Sequence, residues 1–224
     1  MPALLLALGF SLLGRWQLGR ALEKEAQLAA WQSVLAQRQP QALGNALAME
    51  VAWVSVRGRF RPGPALLLDN QRRGQAVGVR VYRVFDAADT SLLVELGWLP
   101  LPPDRRLPAL QVPGDDEIPL TGLLLPPPSP GLALGPDRSE VDKDRWLLTR
   151  IDLHELSDAL QRPLAPRVLR PDPAWPGGHA RDLDIHANTL PPAKHRGYAL
   201  QWFGLAATTV IIAFVLLLRA RHDR

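Results

Sequence analysis

The chain has 224 residues, 47% of them hydrophobic, a formal charge of +4 and no cysteine; one domain of ordinary size plus membrane anchors fits that length, and disulfides and thiolate metal sites are excluded. From Lys24 to Lys194 there are 20 Lys and Arg against 20 Asp and Glu, so the basic excess sits at Arg15, Arg20, Arg196, Arg219, Arg221 and Arg224, set against Glu23 and Asp223. Basic residues flanking apolar runs mark membrane interfaces, so membrane lipid, and no nucleic acid, is the expected partner.

Met1 to Leu13 is apolar and its uncharged run ends at Arg15. A signal-peptide core would carry a basic residue before it and a small-x-small cleavage site after it, and neither stands there. The expectation is an uncleaved first span over residues 1–18, with Arg15 snorkelling to the interface; a start codon placed too late would also explain its shortness. Ala3, Ala7 and Ser11 form a small-residue face, matched by Gly204 and Thr208 further on, so the two spans are expected to pair. Residues 19–40 hold no proline before Pro40 and are rich in helix formers, which predicts a helical stalk.

Residues 41–190 form the expected folded domain. Residues 51–60 alternate as a strand, with Val54, Val56, Gly58 and Phe60 opposite Ser55, Arg57 and Arg59. Further strands are predicted at 65–68, 77–85, 92–99, 118–125 and 146–149, with a turn at 69–74. Leu153, Leu156 and Leu160 share one face of a helix over 151–162 that Asp152 is placed to cap. The 22 prolines are roughly twice the usual share of about 5% and cluster at 100–113, 126–136 and 163–176, where irregular connections are expected. Residues 191–218 hold an interfacial motif and a second span: the 22 uncharged residues from Gly197 to Leu218 reach about 33 Å as a helix, enough for a hydrocarbon core of about 30 Å. Residues 219–224 are a basic tail. The fold class is thus an α+β membrane protein, two terminal transmembrane helices flanking a mainly antiparallel β domain with one or two helices.

Candidates for chemistry are few. The chain has no P-loop, G-x-S-x-G elbow, H-E-x-x-H helix or dinucleotide fingerprint, so an enzyme is not expected. Asp182, Asp184 and His186 alternate and would share one face of an extended segment, as a metal edge or, more commonly, a solvated polar edge. His154 and His179 have no partner at ligand spacing and are read as surface histidines. Arg57, Arg59 and Arg61, with Arg72, Arg73, Arg80 and Arg83 near them in sequence, are offset between 57 and 83 by Asp69 alone. They make a docking patch or a solvated strand face. His195 stands between Lys194 and Arg196 at the start of the second span, with Tyr198 and Trp202 following at helical spacing. That pattern is either an interfacial basic cluster with an aromatic belt or a haem-iron ligand backed by an aromatic wall.

GRWQLGR at 14–20, LLLDNQRRG at 66–74, LGWLP at 96–100, WLLTRIDLHEL at 146–156 and HRGYALQWF at 195–203 stand in the order seen in the Surfeit locus cytochrome-oxidase assembly family, which the chain resembles over nearly its whole length. The family's usual Arg-Gly-Trp is Leu96-Gly97-Trp98 here, and the first span is shorter than usual. The resemblance implies a bacterial inner-membrane, multi-pass protein with both termini cytoplasmic and the central domain periplasmic. The basic residues leave orientation open, because Arg15, Arg20, Lys24, Lys194 and Arg196 outnumber Arg219, Arg221 and Arg224.

It further implies a non-enzymatic assembly factor for a haem-copper oxidase, binding haem a as cargo and assisting its insertion into cytochrome oxidase subunit I, with haem a synthase as a further partner. His195 falls on the family's haem-ligand histidine. A site between antiparallel spans would add the rings of Trp16, Tyr198 and Trp202 and offer Arg15, Arg20 or Arg196 to the propionates. The alternative is a haem-free, membrane-tethered scaffold or interaction protein for a respiratory complex; a third reading is a membrane-bound hydrolase using Asp182, Asp184 and His186.

Overall fold

The alternation at residues 51–60 becomes the wall of a closed sheet. A computed structural model describes residues 2–129, 138–184 and 190–222. In chain order the elements are α1 (Pro2–Gln37), α2 (Leu43–Ala46), β1 (Ala52–Phe60), β2 (Ala65–Arg73), β3 (Ala76–Ala87), β4 (Thr90–Pro100), β5 (Glu117–Leu125), β6 (Arg138–Asp142), β7 (Arg145–Leu148), α3 (Leu153–Ala159), β8 (Val168–Pro171) and α4 (Pro192–His222). They divide between two units, Met1–Gln32 with His186–Arg224, and Ser33–Ile185.

In the second unit the strands follow the order β1-β5-β8-β4-β3-β2-β7-β6, and β1 pairs again with β3. The long β3 has two partners on one edge: Gly78 to Tyr82 face β2, while Phe85 and Asp86 face Phe60 and Arg59 of β1. Five strands therefore close into a ring, and β2, β7 and β6 run off it as a flap. Pairing is antiparallel except β2 with β7 and β4 with β8. Inside the ring lie Val54, Phe60, Val81, Phe85, Leu92, Val94, Leu96, Leu120, Leu124 and Leu169, all at most 1% exposed. Each such side chain contributes about 1.5–3 kcal/mol by leaving water.

A second core of Leu66, Leu68, Tyr82, Leu93, Leu148 and Ile151 is covered by α3 through Leu156. Asp152 starts that helix, its Oδ1 accepting from the His154 and Glu155 amides at 2.9 and 3.1 Å; such a cap is worth about 1 kcal/mol. Beside this core is a buried ion cluster. Glu95 accepts from Arg80 at 3.1 Å and from Arg170 at 3.2 Å, and the Tyr82 hydroxyl donates to it at 3.4 Å. Burial and the Glu95 charge push the Tyr82 pKa well up, so it stays a neutral donor.

Ring closure depends on a place where β1 and β3 touch backbone to backbone. A Cβ on Gly58 would lie 1.9 Å from the Asp86 carbonyl oxygen, so no side chain fits there. The Asp86 side chain then pins the junction: it accepts from Arg61 at 2.6 Å, Ser91 at 2.7 Å and Arg162 at 3.2 Å. Burial alone would raise its pKa. The bonds from Ser91 and Arg61 and the Arg162 charge outweigh that and hold it below the usual carboxylate value.

The structure departs from the sequence reading at defined points. Residues 69–74 are not a turn: β2 continues to Arg73 through a bulge between Leu68 and Gln71. Asn70 absorbs the bulge in the left-handed region at φ 56°, its amide held by Asp69 Oδ1, and the chain reverses four residues later at Gly74, φ 61°. β6 and β8 were not expected. β8 lies inside a proline-rich stretch, and its four residues, buried on both faces, carry no alternation. The helix over 151–162 is the shorter α3, and the proline-rich 101–116 is free of regular structure, as expected. Of two expected spans, α4 is, among the described residues, the helix long and apolar enough to cross a membrane. α1 is less clearly apolar, since Arg15 and Gln17 interrupt its leucines.

Two measurements on the full-length protein check the closure. Gly58→Val should abolish cooperative unfolding of the β unit or fail to give folded protein, because the clash is with backbone. Asp86→Ala should cost about 2 kcal/mol in denaturant unfolding at neutral pH, the scale of hydrogen bonds to a charged group. A depressed folded-state pKa means the Asp86 contribution is complete above the unfolded value near ~4 and is lost as pH falls through the folded value. The variant's stability should therefore fall less steeply with acid than the wild type's.

Candidate functional site

The first unit is a pair of antiparallel helices whose contact follows from a seven-residue spacing. On α1 the buried positions are Ala7, Gly14 and Ala21, with the half-buried Phe10 and Gln17 between them. On α4 they are His195, Ala199 and Ala206, with Trp202 half-buried among them. Steps of three and four keep one stripe of each helix on its neighbour, the knobs-into-holes geometry of left-handed pairs. Small residues permit a close approach: a Cβ on Gly14 would meet the Phe203 ring at 2.8 Å.

Three contacts fix the register. The Phe10 and Trp202 rings stack with centroids 5.7 Å apart and planes at 28°. Seven residues along α1 and seven back along α4, His195 Nδ1 lies 2.7 Å from Gln17 Oε1. One further level up, Arg196 reaches both oxygens of Glu25, at 2.7 and 2.8 Å.

The expected site residues are placed unevenly. His195 is 9% exposed, and Trp202 lines the same seam two turns away, at the level of Phe10. Trp16 and Tyr198 are exposed at the level of His195, at 57% and 42%. Arg15 is exposed, Arg20 pairs with Glu23 at 2.7 Å, and Arg196 is held by Glu25. Sequence reasoning missed Gln17, Phe10, Glu25 and Phe203. The signal for the first two was a seven-residue step, Phe10 to Gln17, lying in register with the small residues Ala7, Gly14 and Ala21. The small-residue face was misjudged in part. Ala7 is in the seam, but Ser11 donates back to the Ala7 carbonyl, Thr208 donates to the Gly204 carbonyl, and a Cβ on Gly204 would meet nothing. A four-residue repeat drifts off a seam that needs an average of 3.5.

The other candidates dissolve or change character. Asp182 pairs with Arg73 at 3.2 Å, the Asp184 carbonyl accepts from Arg170, and His186 lies outside the described residues. No metal-holding group of His, Cys, Asp and Glu exists among the described residues. His154 is a surface histidine, but His179 is not. Its amide donates to the Leu96 carbonyl at 2.7 Å, its Nε2 is buried without a hydrogen-bond partner in the described structure, and burial with the Arg181 charge lowers its pKa. It sits where Gly97, at φ 119°, brings β4 against residues 179 and 180. Leu96 beside it is a wholly buried core residue.

The seven arginines do not form one patch. Arg57 and Arg59 project outward from β1, but Arg61 is bound by Asp86, Arg73 by Asp182 and Arg80 by Glu95, and Arg83 is buried, donating to the Arg61 carbonyl.

The family model described as the SURF1 family matches residues 4–207, taking in nearly all of α1, the β unit and the first half of α4. No curated protein matches the chain.

The register is open to a direct check, because the native chain contains no cysteine. Phe10→Cys combined with Trp202→Cys should be joined by a short bifunctional thiol crosslinker, seen as a gel shift that either single cysteine lacks, because the two native rings meet across the seam. Phe10→Cys with Phe214→Cys, the latter on an exposed stretch of α4, should not. Equal yields from the two pairs would refute the seam.

Proposed function

The chain belongs to the SURF1 family, and from that premise we propose that it receives haem a on His195 and assists its insertion into subunit I of a haem-copper oxidase. The family is associated with cytochrome oxidase assembly and is one of assembly factors rather than catalysts. What carries the reading to this chain is the imidazole of His195, lodged in the helix seam with Trp16 and Tyr198 exposed at its level and Trp202 two turns further along the same seam, stacked on Phe10. Imidazole is a common axial ligand for haem iron, and the rings give a planar macrocycle an apolar wall. Arg20 and Arg196 hold Glu23 and Glu25 in exposed pairs, worth about 0–1 kcal/mol each, so exchange for a propionate is cheap. Arg15 is the third cation at that level.

The pair supports a bilayer placement. α4 is a candidate span, and α1 runs antiparallel along it with Leu4, Leu5, Leu6, Leu8 and Leu12 more than half exposed. Leucines turned outward beside a span belong in lipid, so α1 is taken as the second span of a multi-pass protein in a bacterial inner membrane. The termini are cytoplasmic and the β unit periplasmic. Subunit I is the recipient of the cargo and haem a synthase its source.

The haem-free scaffold is favoured by a different observation: His195, Arg20 and Arg196 all have partners within the chain. Colour separates the two readings. The protein purified whole from cells that make haem a should show a haem a spectrum, and a colourless preparation would support the scaffold. His195→Ala should still insert and fold. It leaves the Gln17 oxygen without its donor, a cost of about 1–3 kcal/mol, and loses most bound haem a. Unchanged occupancy and spectrum would mean that another residue is the ligand. A reporter fused after Arg224 that works only outside the cytoplasm should be silent; activity would overturn the topology.

A further inference from the structure

We propose that Gln17 is a positioning residue for His195: its side-chain carbonyl accepts a hydrogen bond from Nδ1–H and so presents Nε2, with its lone pair free, as the iron-binding atom. This rests on the reading of His195 as the ligand and specifies how that ligand is prepared.

Gln17 Oε1 stands 2.7 Å from His195 Nδ1. An amide oxygen has lone pairs and no proton, so the bond requires Nδ1 to be the donor. A neutral imidazole carries one ring proton, and its presence on Nδ1 leaves Nε2 unprotonated. Without an acceptor at that place the ring is free to take the other tautomer, which turns its lone pair toward α1 and away from any cargo. No described residue bonds Nε2.

The surroundings of Gln17 favour this role over simple helix glue. Ala7, Phe10, Gly14 and Ala21 make up the rest of the α1 stripe, so Gln17 is its one polar member among those positions. An amide left unpaired there costs about 1–3 kcal/mol. The two helices fix the separation of amide and ring, so the acceptor is in place before cargo arrives.

A histidine that binds a metal usually donates its other ring proton to a carboxylate or a carbonyl, and the partner's strength tunes the ligand's basicity. A neutral amide is the weaker of the two partners. That suits a carrier, whose ligand must let its iron go.

The full-length protein in detergent gives the test. In the haem-free protein labelled with 15N-histidine, the ring signals of His195, identified by their loss in His195→Ala, should report a proton on Nδ1. Gln17→Leu should shift the ring toward the Nε2-protonated tautomer and weaken haem a binding by roughly 10–100-fold, the usual effect of removing such a partner. Gln17→Glu, which keeps an acceptor, should retain the Nδ1 proton, bind at least as tightly and lower the midpoint potential of the bound iron. A wild-type ring protonated on Nε2 would overturn the proposal. So would a Gln17→Leu protein whose tautomer and haem a affinity match the wild type while His195→Ala loses haem. Unchanged binding in His195→Ala would instead sink the ligand assignment, and the tautomer measurement, made without haem, would still read the Gln17 contact.

Discussion

Two helices from opposite ends of the chain can lie together only if the side chains of each find room against the other along a shared stripe. Taken as two spans, as proposed, the pair would have no hydrophobic drive behind that packing, because hydrocarbon is as apolar as leucine. Van der Waals contact and a few polar pairs must hold it. Ala7, Gly14 and Ala21 supply the small positions on one helix, Ala199 and Ala206 on the other. Once the stripe is set, Phe10 meets Trp202, Gln17 meets His195 and Glu25 meets Arg196 without further choice. The surroundings of the imidazole are thus a consequence of helix register, and residues that never touch a ligand decide where it points.

In the helix pair Gly14 makes room for the Phe203 ring, whereas the β unit removes a side chain where two backbones meet. β3 is long enough to serve two neighbours, and the switch between them occurs at the Gly58 and Asp86 junction. One carboxylate there ties the end of β1, the β3–β4 hairpin and the segment after α3. On the same outer face of β3 and β4, Glu95 between two arginines with a neutral tyrosine near it is a charge cluster whose net contribution to stability is small. Breaking it from one side leaves a buried charge unpaired. Such clusters specify which strands become neighbours more than they add to the total stability.

What could be read from the sequence follows from where each signal resides. β1, β3, β4 and β5 carry alternation or long β-branched and leucine runs, and their positions agree with the strands to within a few residues. Asp152 was legible because a cap is a local event. β8 was not, since it is four residues long, is buried on both faces and lies among prolines that otherwise argue against a strand. The second half of β2 was hidden because its bulge uses Asp69 and Asn70, residues that mark turns elsewhere. At the helix pair, His195 and Trp202 stood out by chemistry, whereas Gln17 is an unremarkable amide in sequence. It acquires meaning only from a residue 178 positions away.

The place of β8 sets an order on biosynthesis. It sits between β4 and β5 in the ring, yet among the described residues it is the last strand to leave the ribosome. Until Pro171 has emerged, the inner edges of β4 and β5 have no partner and the apolar lining of the ring faces water. Unpaired edges of that kind are templates for association with other chains. The nascent domain therefore stays in an open, vulnerable form through most of its translation and closes just before α4 is made. Premature termination anywhere upstream of β8 leaves a product that cannot complete itself, which gives quality-control proteases and holdases a clear distinction between finished and unfinished chains.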